Sequence, residues 1–247
     1  MKKLIFTSSL LFLSVFAVAQ FSLSFETGAA FNGYNDVQVP NAPNNQGTRF
    51  SFTDDFTPDQ PIPFFRAEAS YLLNEKHRFG VTAVPLTFNY EQNNPQPINF
   101  EGNVFDGSNL GGSYQFNTYR ATYRYRLVNR EKTNLELGVT GLLRDAKIEL
   151  TQGGETKKNT DLGFVPLISF YFDYAFSPAF SAEISGDALV GPQGRAEDVF
   201  VGLRSKLIKD NLKLRTGYRI IEGGADGEQV YTFSLIHFAS IGLVATF

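Results

Sequence analysis

The chain offers few side chains of the kinds that do chemistry. It contains two histidines, His77 and His237, and no cysteine. Ser240 follows His237 by three positions, and a histidine beside a serine can activate the serine hydroxyl as a nucleophile. Residues three positions apart in a strand point to opposite faces, whereas such a couple needs both side chains on one face. The spacing argues against a hydrolase built on this pair and predicts that His237 is an ordinary interfacial residue.

The remaining motifs are also weak. Asp54 and Asp55 are adjacent in a long polar connection, and His77 lies beside a short turn. The stretches "GGSY", "GGET" and "GGADGE" stand between predicted strands, so no helix N-terminus follows them to bind a phosphate. "DGSNLGG" has oxygen ligands without the spacing of a calcium loop. We therefore expect no catalytic residue, no metal site and no cofactor, and the lack of cysteine excludes disulfides and thiolate ligands.

Charged residues form the larger candidate set, because they recur at every second position. Between residues 212 and 220, Lys213, Arg215 and Arg219 alternate with apolar or small neutral residues. A strand places alternate residues on opposite faces. The charged face collected in this way contains Arg66, Arg78, Arg120, Arg124, Arg126, Arg144, Arg204, Lys206, Lys213, Arg215 and Arg219, with Glu26, Glu68, Glu136, Asp173, Glu183 and Asp187.

Two interpretations of this charged face remain open. In a narrow barrel, side chains of opposite charge fill the interior and pair into a structural network. Basic residues outnumber acidic ones on this face, however, and rings of Arg and Lys favour anions. The second interpretation is therefore a narrow, anion-leaning passage, with Leu142, Leu189 and Phe200 facing the same side and narrowing the bore.

The element that must position these residues is the β-strand. Apolar residues recur with a period of two and not with a helical period, which predicts an all-β protein. We expect ten strands, at residues 21–31, 62–73, 77–90, 113–127, 134–150, 162–176, 179–190, 198–208, 212–221 and 229–247. Long polar connections (32–61, 91–112, 151–161, 191–197 and 222–228) alternate with short ones, which is typical of an antiparallel transmembrane up-and-down β-barrel. Eight or twelve strands stay possible, because 91–112 has room for a further hairpin.

The segment 77–90 departs from the regular pattern. Phe79, Val81 and Ala83 are apolar in one phase, but the apolar residues after Pro85 follow the other phase. One extra residue in a strand shifts every later side chain to the opposite face. The sequence therefore predicts a β-bulge near Pro85.

The orientation of the two faces follows from energetics. An Arg or Lys on the lipid face near the midplane costs about 2–4 kcal/mol, so the charged face must point into the barrel, which then has a polar interior. Tyr71, Tyr125, Tyr174 and Phe247 lie near the short turns, where an interfacial aromatic girdle is expected. A soluble barrel or sandwich with an apolar core and a charged exterior is the alternative that the same alternation allows.

The first residues have the pattern of an export signal. "MKK" precedes an apolar stretch at 4–18, and Ala17-Val18-Ala19 gives a small-x-small site. These features predict a secretory signal peptide at 1–19, cleaved after Ala19, and a barrel domain at 20–247. The whole chain carries a formal charge of −3, and loss of two lysines makes it more negative, so we expect no nucleic-acid partner.

The signal peptide, the alternating strands and the final "FASIGLVATF" together resemble the Gram-negative outer-membrane β-barrel superfamily, in its small class typified by outer membrane protein A and the OmpW-like proteins. The resemblance identifies no subfamily. It implies an outer-membrane location, contact with membrane lipid and lipopolysaccharide, and delivery by the barrel-assembly machinery. In that family a terminal aromatic is read during assembly, which here assigns the signal to Tyr231, Phe233, Ile241, Leu243 and Phe247.

Three functions are consistent with these expectations. The leading hypothesis is a monomeric barrel with a structural or surface-interaction role, carried by the long loops 32–61 and 91–112. The alternative is the narrow anion-leaning channel or porin. The third is an enzyme at the outer rim that modifies lipid or cleaves protein, and the poor geometry of the histidine and aspartate motifs weighs against it.

Overall fold

The computed structural model describes residues 20–92, 96–106, 109–192 and 194–247. The predicted signal peptide at 1–19 lies outside these ranges. Within them, no helix is long and apolar enough to span a membrane.

Ten long antiparallel strands form the barrel wall. They are β1 (Gln20–Gln38), β2 (Ile62–Leu73), β3 (two segments, His77–Val84 and Thr87–Gln92), β4 (Leu110–Asn129), β5 (Thr133–Gln152), β6 (Glu155–Ala175), β7 (Phe180–Gly191), β8 (Gly194–Ile208), β9 (Leu212–Asp226) and β10 (Tyr231–Thr246). Each strand pairs with the next along the chain, and β10 pairs with β1 from Thr246 opposite Ser22 to Tyr231 opposite Gln38. The barrel is closed, which confirms the predicted up-and-down fold and the predicted strand number.

The two ends of the barrel differ in their connections. At one end, which we call the turn end, the connections are short: 74–76, 130–132, 176–179 and 209–211. At the opposite end, the loop end, only two of the connections are long, 39–61 and 93–109. The predicted alternation of long and short connections is therefore only partly correct.

Three predicted loops are mostly strand. Residues 151–161 belong largely to β5 and β6, which are joined by Gly153 and Gly154, both with positive φ. Residues 191–197 and 222–228 are likewise largely taken up by β7, β8 and β9. Their polar residues suggested loops, but a strand whose outer face meets water carries polar residues without breaking.

The predicted bulge at Pro85 does not exist. Val84 lies opposite Thr118 on β4, and Thr87 lies opposite Gln115, so the same number of residues separates the partners on both strands. Pro85 interrupts the hydrogen bonding of β3 because it lacks an N–H, but it adds no extra residue.

The side chains of β3 keep one phase along its whole length. Thr82, Leu86, Phe88 and Tyr90 all point inward and are buried, whereas Glu91 beyond Pro85 is exposed. What changes along β3 is the environment: apolar residues face outward near the turn end and inward near the loop end. The phase of hydrophobicity therefore changes along β3 as the sequence indicates, but the face on which each side chain lies does not.

The long connections fold into the barrel mouth. Phe50–Ser51 pairs with β1 and Thr57–Pro58 pairs with β3, while Ile98–Phe100 and Asn103–Phe105 form a small hairpin. That hairpin lies in the predicted 91–112 connection, but it does not join the wall, so the strand count stays at ten.

An apolar plug fills the loop end of the barrel. It is made of side chains from both long connections and from the inner faces of the strands: Val37, Val39, Phe50, Phe52, Phe56, Phe64, Leu86, Phe88, Tyr90, Ile98, Phe100, Phe105, Leu110, Tyr114, Ile148, Leu150, Ile221, Ile236 and Phe238. Phe52 stacks on Tyr90 with ring centroids 4.5 Å apart. The expectation of a polar interior is therefore wrong for this half of the barrel.

The outer face near the turn end is apolar and exposed. Val81, Val139 and Ile168 are each about 60% exposed, as expected for residues that contact lipid and not protein. Tyr125, Tyr174 and Phe247 lie on this face beside the short turns, as the girdle prediction requires. The half of the barrel near the turn end is polar inside and apolar outside, and the half near the loop end is the reverse.

Candidate functional site

Asp198, on β8, is the centre of a group of buried ion pairs. Its Oδ2 lies 2.5 Å from Arg120 Nη1 and 3.2 Å from Arg66 Nη1, and its Oδ1 contacts Arg219. Arg120 Nη1 also lies 2.9 Å from Asp187 Oδ2. These residues come from β2, β4, β7, β8 and β9, so their contacts cross the bore from wall to wall.

A second group joins directly to the first. Glu26 on β1 accepts a hydrogen bond from Arg219 Nε at 3.1 Å and also contacts Arg215. Arg215 Nη2 lies 2.7 Å from Glu183 Oε1. The Arg215 guanidinium lies 3.6 Å from the ring centroid of Phe200, a fully buried side chain, in a cation–π contact. Ions and an aromatic ring therefore occupy the same cross-section of the bore.

Glu136, on β5, gathers a third group closer to the turn end. Its carboxylate accepts hydrogen bonds from Arg78 Nε at 2.8 Å, Arg126 Nη2 at 3.2 Å and Asn134 Nδ2 at 3.2 Å. The carboxylate is fully buried, and charge-assisted hydrogen bonds of this kind are needed to hold a buried ion.

A polar vestibule of about 350 Å³ lies between these groups and the turn end. Glu68, Arg124, Tyr171, Asp173 and Arg204 are among its lining residues. Arg204 Nη1 donates to Tyr171 Oη at 2.5 Å, and Arg124 Nη2 lies 3.9 Å from Glu68 Oε1. The vestibule is where a solute entering from the turn end would meet the interior charges.

Two of the predicted interior residues lie away from the network. Arg144 pairs with Asp161 towards the loop end. Lys206 lies at the turn end, 2.8 Å from Asp210, and Lys213 lies 3.5 Å from the same carboxylate. The hydrogen bond from Lys206 and the charge of Lys213 hold the pKa of Asp210 below its ordinary value. Asp210 is in an exposed turn, so Lys206 lies at the surface, whereas Lys213 also lines the vestibule.

The structure brings most of the predicted interior residues together in the bore: Arg66, Glu68, Arg120, Arg124, Arg126, Glu136, Asp173, Glu183, Asp187, Arg204, Lys213, Arg215 and Arg219, with Glu26 and Arg78. Sequence reasoning missed Asp198, although it shares the inward face of β8 with Phe200 and Arg204. The alternation did identify that face. What it could not show is that this carboxylate meets three guanidinium groups from other strands.

The predicted assembly-signal residues are divided between the two ends of β10. Ile241 and Leu243 are exposed on the outer face, and Phe247 lies at the turn end, where its N–H donates to Phe21 O at 2.9 Å. Tyr231 and Phe233 lie at the loop end of the same strand. There Arg49 lies 4.0 Å from the Tyr231 ring centroid, and Arg195 lies 4.9 Å from the Phe233 ring centroid.

The histidine motif has the geometry expected from its spacing. His237 is on the outer face, with Nδ1 2.5 Å from Tyr218 Oη, while Ser240 is buried on the inner face. Asp55 Oδ2 accepts a hydrogen bond from Ser51 N and so serves its own loop. In the described part of the chain, no group of three or more His, Cys, Asp or Glu side chains could hold a metal ion.

The comparison with solved structures matches this architecture. The crystal structure of the outer membrane protease OmpT from Escherichia coli superposes with a TM-score of 0.55, at 10% sequence identity, and the match covers 92% of this chain and 97% of that one. The chain has the fold of a small outer-membrane β-barrel. This likeness concerns the fold alone, and the protease activity is a property of OmpT.

Two further solved structures match less closely. Neisserial surface protein A gives a TM-score of 0.36 at 14% identity, covering 92% of this chain and 97% of that one. Ail, the attachment invasion locus protein of Yersinia pestis, in complex with the heparin analogue sucrose octasulfate, gives 0.38 at 12%, covering 93% and 99%. No protein-family model matches the chain, and no curated protein matches it.

Proposed function

We propose that this outer-membrane barrel is closed to solutes and that its role is structural, with a rigid external surface for contact with the envelope or with external ligands. The observation that carries the proposal is the filling of the bore at two levels. The ion pairs around Asp198 and Glu26 cross it at one level, and the apolar plug fills it nearer the loop end. A bore filled by packed side chains supports a structural role over conduction.

The proposed orientation follows the general plan of such barrels. Short turns face the periplasm and longer loops face outward, so the turn end is periplasmic and the loop end external. Lipid and lipopolysaccharide contact the apolar outer face, the assembly machinery reads Phe247 at the periplasmic interface, and export depends on the signal peptide at 1–19. We propose a monomer, because the closed sheet leaves no edge at which a second copy could pair.

The external surface has the rigidity that a binding surface needs. The two long connections hold one another: Thr48 N donates to Asn99 O at 2.8 Å, and Asn99 N donates to Thr48 Oγ1 at 2.9 Å. Their aromatic side chains are buried in the plug, so the tips near Asn44 and Glu101 present polar groups to solvent. A surface preorganised in this way loses little conformational entropy on binding.

The alternative function is the anion-leaning channel. The periplasmic vestibule supports it in part, since Arg78, Arg124 and Arg204 line it. Each of these guanidiniums has a carboxylate within 4 Å, however, and the ions nearer the plug are paired across the bore. An enzyme is the least supported function, because His237 faces outward beside a tyrosine.

A planar-bilayer recording tests the proposal. We expect no steady conductance from the purified barrel, because ion pairs and apolar side chains fill the bore at two levels. A general porin reconstituted in the same bilayer is the positive control. A steady current with a preference for anions would overturn the closed-barrel proposal and support the channel.

A further inference from the structure

The barrel wall has a notch between β6 and β7. The two strands pair from Ala175 opposite Ser181 up to Ile168 opposite Ala188. Beyond this point β6 continues to Glu155, but within the described residues it pairs only with β5. The ladder stops two residues before Pro166, whose missing N–H cannot donate to a neighbour.

The notch is wide at the loop end because the β7–β8 hairpin is short. This hairpin turns at Gly191 opposite Gly194, while the β5–β6 hairpin on the other side extends to Gln152 opposite Glu155. On the side towards β7, residues 155–167 of β6 therefore have no strand partner within the described part of the chain. Unpaired backbone at membrane depth is tolerated only where it lines a cavity or is covered by other groups.

The base of the notch lies at the level of the outer lipid leaflet. Ile168 is six positions from the interfacial Tyr174, which corresponds to a rise of about 15 Å at about 3.3 Å per residue and a tilt near 40°. The apolar band of such barrels is about 25 Å tall. Phe164 on β6 and Val190 on β7 face outward at the notch and are about 70% exposed, so acyl chains are their neighbours.

A cavity of about 70 Å³ inside the barrel borders the notch. Val165 and Leu167 belong both to the unpaired edge of β6 and to the cavity lining, and Leu142 and Ile221 line it as well. Leu189, on the inner face of β7, is 38% exposed, which is unusual for an inward apolar residue of this barrel. The edges of the notch are therefore apolar, and so is most of the surface of the cavity behind it.

The cavity is too small for a ring, and its lining carries equal numbers of basic and acidic side chains. Its volume is about half of the roughly 150 Å³ that takes benzene in an engineered protein cavity, so a single linear chain fits better. Most of these charges are paired: Arg144 with Asp161, Arg195 with Glu222, Arg120 with Asp198, and Lys147 with Glu149. Glu197 lines the cavity without an ion pair among the described residues. An uncharged aliphatic segment suits this lining.

We propose that the notch admits the end of one acyl chain from an outer-leaflet lipid into the cavity. The occupant is a lipid chain because lipid is what the outward side of the notch contacts and because the lining is apolar with balanced charge. The barrel then holds one lipid through its side wall. The end of one acyl chain lies inside the barrel, and the lipid head group stays outside.

Photocrosslinking in vesicles tests this assignment. The full mature chain is folded into phosphatidylcholine vesicles that contain a small fraction of phosphatidylcholine with a diazirine at the end of one acyl chain. After illumination, mass spectrometry locates the adducts. We expect adducts on the inward residues Leu142 and Leu167, in addition to the general lipid-facing background at outward residues such as Val139.

Matched substitutions make the test specific. Val165→Phe fills the entrance and should reduce the inward adducts by about tenfold, since it excludes about two methylene groups. Val139→Phe is the same change on the lipid face of β5 and should leave them unchanged. If Val165→Phe does not fold, Leu189→Phe narrows the notch from the β7 side. Adducts confined to outward residues, or inward adducts that the entrance variants leave unchanged, would overturn the proposal.

Discussion

At the scale of single residues, the interior depends on a few carboxylates that each serve several guanidiniums. Asp198 contacts Arg66, Arg120 and Arg219, and its side chain is almost fully buried. A buried ion pair adds little net stability compared with apolar packing, but removing one partner leaves an uncompensated buried charge. The loss of stability caused by a substitution therefore depends on how deeply the ion pair is buried and not on how many contacts it makes.

Asp198→Asn should destabilise the barrel strongly. The change preserves shape but leaves three guanidiniums without their shared counter-charge, so we expect the free energy of unfolding to fall by about 3–5 kcal/mol. Urea titration of the folded barrel in vesicles measures it. Asp161→Asn is the control, because its half-exposed pair with Arg144 predicts a loss below about 1 kcal/mol. Equal losses of unfolding free energy in the two variants would contradict the expected difference between a buried and a half-exposed ion pair.

At the scale of the element, each long strand crosses two environments. On β3, Val81 faces outward into lipid, whereas Asn89, which shares that face, is exposed beyond the apolar band. The inner face changes in the opposite sense, from Arg78 near the turn end to Phe88 in the plug. One face of one strand therefore changes from apolar to polar along its length without any change of register.

Arginine substitutions on the outer face of β3 should show where the lipid ends. Val81→Arg places a charge in the apolar band and should cost about 2–4 kcal/mol, whereas Asn89→Arg should cost about 0–1 kcal/mol because that residue is near or beyond the interface. Both are measured by urea titration of folding into vesicles. Similar costs at the two positions would mean that the membrane boundary does not lie between them.

At the scale of the whole molecule, side chains of different chemistry fill the bore at two levels. The level nearer the turn end is a network of ions with Phe200, and the level nearer the loop end is the apolar plug. Each closure is built from several strands, so neither depends on a single loop. The long connections, which the sequence suggested were free for binding, use their aromatic residues to fill the barrel.

Phe52→Ala should lower the stability of the barrel without opening the bore to ions. Loss of this fully buried ring should cost about 3–5 kcal/mol of unfolding free energy, but the bore should stay non-conducting because the ion network remains. Phe164→Ala is the matched control, since its ring is 70% exposed on the outer face and its loss should have a much smaller effect. Unfolding titrations and bilayer recordings together check both expectations. Conductance in Phe52→Ala would mean that the plug alone closes the barrel.

The sequence by itself determined the period of the strands, favoured ten of them over eight or twelve, and identified the residues that share each face except beyond Pro85. Lys213, Arg215 and Arg219 could be placed inside from alternation and the energetic cost of charge in lipid alone. These are local properties, because a strand's two faces depend only on its own residues.

Only the tertiary structure decided which environment each strand face contacts at each level along the barrel axis. The convergence on Asp198, the plug around Phe52, the extension of β5 and β6 and the notch beside Pro166 all depend on strands and loops far apart in the chain. Alternation is the same whether lipid lies outside and ions inside or water lies outside and aromatic side chains inside. The pattern therefore identifies two faces, and the packing of the remaining chain determines which environment each one contacts.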